Sequence, residues 1–243
     1  MTVEILGLPF QNVTMEQAVN DVYGFFSARE SKMVVTPNTE ILQMFDRLPE
    51  VRQAILQADS VGPDGPGVIK ASRMLGAPLK EKVAGIELGL HLMKKCAGTG
   101  GSVYLLGAKP GVAEKAKERL LNEIPGLNVA GVHDGYFNES DEQAIVEEIN
   151  RLNVDMLLVC LGAPKQELWM AKHKKDLRVG AMLGLGGSLD VIAGNVRRAP
   201  RWMIRYSLEW LYRIAREPKR IGRVAGLPFF LLRVKKGSKK RSG

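Results

Sequence analysis

From residue 102 onward the chain repeats one unit: a short apolar run, a glycine turn and an amphipathic stretch long enough for a helix. The apolar runs fall at 102–106, 128–131, 156–161 and 179–183, with helical periodicity at 112–123, at 141–151 and up to His173. Parallel strands need a crossover of about a dozen residues or more, which these segments supply. Apolar runs without alternation mark strands covered on both faces. The pattern predicts an α/β fold, a Rossmann-like parallel sheet core with helices on both faces.

The first hundred residues fit the same plan. After a strand near 3–6, Thr14 and Gln17 have the spacing of a capping box and Val13 and Ala18 that of a hydrophobic staple, so a helix is expected to about residue 27. A buried-type strand at 32–35 ends in Thr36-Pro37-Asn38-Thr39-Glu40, where Pro37 stops sheet pairing and Asn38 or Thr39 can cap a helix. Pro49 suits the first turn of a helix reaching 58, and apolar spacing predicts further helices at 67–75 and 85–95.

In open parallel sheets ligands bind outside the carboxyl ends of the strands. Here those ends carry Gly107, Gly162 and the group Gly184, Gly186 and Gly187, which let backbone approach a ligand such as a phosphate. The dinucleotide fingerprint is not met, because the stretch from Gly184 to Leu189 lacks the final glycine, and no Gly-Lys-Ser/Thr phosphate loop occurs. Tight turns that serve packing alone would look the same.

One stretch fits no regular element. Val61-Gly62-Pro63-Asp64-Gly65-Pro66-Gly67 combines prolines that fix φ, glycines that permit positive φ and a single carboxylate, Asp64. Asp is an ordinary turn residue, since its carboxylate bonds nearby N–H groups. A rigid loop would equally hold a catalytic base within reach of one proton.

Composition narrows the setting. A hydrophobic content of 45% is enough for a sizeable core, and Cys96 and Cys160 sit apart in apolar company, as small core residues of a reducing compartment do. His91, His133 and His173 are scattered without zinc-ligand spacing, so no metal site is expected. The chain starts Met-Thr-Val-Glu, without a basic and apolar leader, and has no run of about 18 apolar residues, which predicts a cytoplasmic protein. Charge is uneven: residues 196–243 hold fifteen Lys or Arg against Glu209 and Glu217, a balance of +13, so the total of +9 leaves −4 for residues 1–195. That division predicts a core of 1–195 and a basic appendage of 196–243 that meets something anionic, nucleic acid or a membrane surface. No nucleic-acid recognition motif accompanies the charge, so nucleic acid is not expected as a partner.

Several motifs stand together in order: Thr36-Pro37-Asn38, Pro63-Asp64-Gly65-Pro66-Gly67, and Leu161-Gly162-Ala163-Pro164-Lys165-Gln166-Glu167. They are followed by Gly186-Gly187-Ser188-Leu189-Asp190-Val191-Ile192-Ala193-Gly194 and Arg197-Arg198-Ala199-Pro200. In this combination the chain resembles, over nearly its whole length, the WecG/TagA/CpsF family of bacterial glycosyltransferases, and within it the TagA type. The resemblance implies transfer of N-acetylmannosamine from UDP-N-acetylmannosamine to the 4-hydroxyl of N-acetylglucosamine on undecaprenyl diphosphate, with inversion. It implies Asp64 as general base and Thr36 and Asn38 on the acceptor sugar. Lys82, Gly107, Gly162, Gln166, Glu167, Gly187, Asp190 and Asn195 are then expected on the donor side. No Asp-x-Asp metal motif occurs, so the expected reaction needs no metal cofactor, and cationic and backbone donors would stabilise the leaving group. A different donor, N-acetylmannosaminuronic acid or a hexose, fits the same motifs. One departure bears on this: where the family carries Arg and, five residues on, Asp, this chain has Lys82 and Glu87, which keeps charge but not the guanidinium fork.

The basic end has its own pattern. Trp202, Met203, Tyr206, Trp210, Leu211 and Ile214 recur at helical spacing, and Arg213, Arg216, Arg220 and Arg223 would form one stripe if the helix continued past Pro218. Aromatic and basic amphipathic segments suit an anionic membrane interface, and they also suit a core-packing helix with a solvated basic face. The resemblance implies membrane docking on the inner face of the cell membrane, with Arg213, Arg220 and Arg223 supplied to the acceptor.

Overall fold

The computed structural model of the protein describes residues 1–200 and 226–239, with Trp202, Met203, Leu208, Leu211, Tyr212 and Ala215 between them. Arg213, Arg220 and Arg223, and the arginine stripe they were expected to form, lie outside the described residues.

Six strands form one parallel sheet: β3 (Lys32–Val35), β4 (Ser60–Val61), β5 (Ser102–Gly107), β6 (Asn128–His133), β7 (Met156–Cys160) and β8 (Ala181–Gly184). Their order is β4-β3-β8-β7-β5-β6. Side chains alternate between the two faces, as the two-residue strand period requires, save at a register shift between β5 and β6. Along β7, Met156, Leu158 and Cys160 enter one core, Leu157 and Val159 the other. One face is covered by α1 (Met15–Gly24), α5 (Gly85–Thr99), α6 (Val112–Glu123) and α9 (Ser188–Ile192). The other face carries α2 (Thr39–Arg47), α3 (Pro49–Ile55), α4 (Pro66–Met74), α7 (Glu142–Leu152) and α8 (Lys165–His173). A last helix, α10 (Leu227–Lys239), joins that second core through Phe230 and Val234.

The expected α/β class is present, and local signals worked where they were strong. Thr14 and Gln17 form the reciprocal capping box at α1, and Asn38 caps α2 by accepting from the Glu40 and Ile41 N–H groups at 2.9 and 3.1 Å. Helices α1 and α3 stop about three residues short of the expected ends, and a larger departure is at the start. Strands β1 (Thr2–Ile5) and β2 (Leu8–Gln11) pair as an antiparallel hairpin outside the main sheet, with Ile5 opposite Leu8. Its two-residue turn holds Leu6 at φ 53° and Gly7 at φ 86°, both positive as a type I′ turn demands. Leucine is an unusual residue there, and Pro9 inside β2 argues against a strand, so sequence signals pointed elsewhere. The hairpin is tied to the sheet where Ser60 Oγ donates to Gln11 Oε1 at 2.6 Å.

Candidate active site

The sheet order reverses direction around β5, whose neighbours are β6 on one side and β7 on the other. Crevices open at the carboxyl ends of strands at such a reversal. A cleft of about 500 Å³ lies there, reached by the loops after β3, β4, β5, β6, β7 and β8. Thr36, Asn38, Asp64, Gly162, Gln166, Gly187 and Asp190 all line it, so the structure brings seven of the expected residues together from the segments that follow four strands, β3, β4, β7 and β8.

Asp64 is half-buried and its loop is tied on both sides. The Gly62 N–H donates to the Val35 carbonyl at 2.9 Å, and the Val83 N–H donates to the Pro63 carbonyl at 2.8 Å. Gly65 then leaves the loop at φ 83°, a conformation that glycine adopts without strain, and Pro66 starts α4. The prolines and glycines that made this stretch unfit for any regular element thus fix Asp64 at the cleft wall.

Beside it, Thr36 is buried between two glycines. A Cβ at Gly62 would stand 3.2 Å from Thr36 Cγ2. Asn38 uses its Oδ1 to cap α2, which leaves its amide donors for the cleft it lines. Capping and ligand binding are therefore compatible at this residue.

Across the cleft, the loop from Gly184 to Gly187 is fixed through its backbone. The Leu185 N–H donates to the Val159 carbonyl at 3.0 Å, and the Gly186 N–H donates to Gln166 Oε1 at 2.7 Å. Gln166 in turn donates from Nε2 to Glu167 Oε1 at 2.8 Å. Glu167 is 1% exposed and lies behind Gln166, off the cleft lining. Burial pushes its carboxyl up to about 7, against the hydrogen bonds from Gln166 and the Glu167 backbone that act to lower it.

Three other expected donor-side residues also stand off the lining. Gly107 ends β5 at φ 130° with the Cys160 carbonyl so close that a Cβ would collide with it, so packing alone requires glycine there. Asn195 is exposed and accepts from Lys115 Nζ at 3.0 Å. Lys82 adjoins Val83, which braces the Asp64 loop, and its partner in the departing motif, Glu87, pairs with Arg198. Sequence reading in turn passed over Lys109 and Tyr136, which line the cleft from the loops after β5 and β6. Position supplied a signal for both, since each follows a strand's carboxyl end.

A parallel sheet whose loops gather a carboxylate, polar side chains and a glycine-rich backbone in one crevice is the build of a transferase or ligand-binding α/β protein. Comparison with known proteins narrows this. The family model described as "Glycosyl transferase WecG/TagA/CpsF family" matches residues 3–243, and the chain belongs to that family. It is 36% identical over 240 residues to an N-acetylglucosaminyldiphosphoundecaprenol N-acetyl-beta-D-mannosaminyltransferase of Staphylococcus aureus strain MW2, covering 98% of this chain and 94% of the relative. The protein of the same name from strain NCTC 8325 / PS 47 matches at the same identity and coverage.

Proposed function

We propose that this protein moves N-acetylmannosamine from a UDP-linked donor to the 4-hydroxyl of N-acetylglucosamine carried on undecaprenyl diphosphate, in a β-1,4 bond. The observation that carries the reading is the placement of Asp64 on a doubly tied loop in the same cleft as Thr36 and Asn38, facing a glycine loop with Asp190 beyond it. Relatives bearing the name of this reaction support the choice of sugars.

In this reading Asp64 accepts the proton of the acceptor hydroxyl as that oxygen attacks the anomeric carbon and the bond to UDP breaks on the opposite face, inverting the centre. Thr36 and Asn38 orient the acceptor sugar. The loop backbone at Gly186 and Gly187, Gln166 and the Lys109 ammonium face the donor, and cationic groups rather than a metal meet the charge on the leaving diphosphate. Arg213, Arg220 and Arg223 belong to this proposal as acceptor-diphosphate ligands. Among the described residues no helix is long and apolar enough to cross a membrane. The lipid acceptor would be met by peripheral docking of residues 196–243 on an anionic surface, which the exposed Phe229 and Leu232 beside Lys235 and Lys236 support.

The test is UDP release from UDP-N-acetylmannosamine with a lipid-linked N-acetylglucosamine acceptor. Asp64→Asn should lower turnover by about 10²–10⁴-fold, the worth of a positioned base, while UDP binding measured by calorimetry is kept. Normal turnover in that variant removes the proposed base. Competition by UDP-N-acetylmannosaminuronic acid or a UDP-hexose separates donors: a better substrate among them replaces N-acetylmannosamine in the reading.

A further inference from the structure

The chain from Glu167 through Gln166 to Gly186 has a directional logic. A backbone N–H can only donate, so the oxygen of the Gln166 amide must face Gly186. Its nitrogen then faces Glu167 Oε1, which must accept. The carboxyl's other oxygen, Oε2, is buried and has no hydrogen-bond partner among the described residues. A buried carboxyl used on one side only is costly for stability, which is a poor reason to keep it in the first turn of α8.

We propose that Glu167 is a positioning residue that acts through Gln166: it fixes the amide so that the Gly186 N–H, and with it the glycine loop, is held in the geometry that receives the donor. Glu167 itself touches no donor in this scheme. Its neighbour Gln166 lines the cleft. The donor-side part rests on the function proposed above, while the hydrogen-bonded chain does not.

The substitution Glu167→Met keeps the volume and removes the acceptor, and Glu167→Gln keeps an acceptor oxygen without the acid. In the unliganded protein, the Gly186 amide should exchange with solvent at least roughly tenfold faster in E167M than in wild type, and within about threefold of wild type in E167Q. The Leu183 amide, in the β8 ladder, serves as the control and should not change. E167M should melt no lower than wild type, because an apolar side chain replaces a half-satisfied carboxyl. Donor KM should rise at least about fivefold in E167M with kcat within about threefold, E167Q should restore it, and E167M should add nothing in a Gln166→Ala background.

Unchanged Gly186 exchange in E167M overturns the proposal, as does an E167M defect that persists undiminished in Q166A. Lowered melting with uniform loss of protection overturns it too, because Glu167 would then be a packing residue. If wild type transferred no sugar from any donor, the function proposed above would fail while the exchange data still decided the role of Glu167.

Discussion

Thr36 Oγ1 occupies the space that a side chain at Gly85 would need: a Cβ there would stand 2.5 Å from it. Thr36 directly follows β3 and Gly85 opens α5, so two segments distant in sequence meet at the cleft with no room between them. Alanine at 85, the first residue of α5, is compatible with the helix and must push the Thr36 side chain away. Gly85→Ala should therefore melt within a few degrees of wild type while kcat/KM for the acceptor falls roughly tenfold to a hundredfold. Thermal melts and steady-state kinetics on the same preparation check this.

Gly107 predicts the opposite separation. Its Cβ would enter the backbone of Cys160 on β7, and its φ of 130° suits only glycine. Gly107→Ala should cost roughly 2 kcal/mol or more in denaturant unfolding, the usual result of forcing strain on a packed strand pair. The folded fraction should keep near-normal donor KM, as Gly107 does not line the cleft.

A pH effect is expected at the far, amino-terminal edge of the sheet. Asp59 precedes β4; its Oδ2 accepts from the Met33 N–H at 2.8 Å and from Lys174 Nζ at 2.6 Å, with Lys32 Nζ 3.6 Å from Oδ1. Burial acts to raise its pKa, but these partners together hold it below the usual carboxylate range. A depressed folded pKa contributes stability that is complete above the unfolded value of about 4 and is lost as pH falls through the folded value. Asp59→Asn should be about 1–2 kcal/mol less stable at pH 7, with the gap to wild type closing below about pH 4. Urea titrations across pH measure it, and turnover should be unchanged.

The two faces of α10 should behave differently. Phe230 is buried against the core, and Leu227 packs over Gly67, three positions after Asp64. Arg233 Nε also pairs with Asp46 at 2.7 Å. Phe229 and Leu232 point outward, 71% and 57% exposed. Phe230→Ala should lose about 3–5 kcal/mol. Phe229→Ala with Leu232→Ala should stay within about 0.5 kcal/mol per site yet sediment several-fold less with phosphatidylglycerol vesicles.

The fold was legible wherever local chemistry and tertiary demand agreed. The capping box at Thr14, the helix-starting Pro49 and the unbroken apolar run of β7 each named their element, because each satisfies backbone groups or buries area by itself. The β1–β2 hairpin was not legible, since Leu6 adopts positive φ only under the packing of Ile5, Leu8 and Phe10 into the core. Within the candidate site, Asp64, Thr36 and Asn38 could be picked out by their loop chemistry. Lys109 and Tyr136 had only their position after a strand's carboxyl end to mark them, because residue type alone does not distinguish a cleft-lining lysine or tyrosine from a solvated one.

The sequence by itself determined the α/β class, the family and the rigidity of the Asp64 loop, because periodicity, proline and glycine act through neighbouring residues. It left the strand order open, and only the tertiary structure decided that β8 would lie between β3 and β7. That placement sets the glycine loop opposite Asp64, turns Glu167 into the core behind Gln166, and leaves Gly107 a packing residue. The physical reason is that a side chain's surroundings depend on which strands become neighbours, a choice made by burying both sheet faces at once and invisible to any local window of the chain.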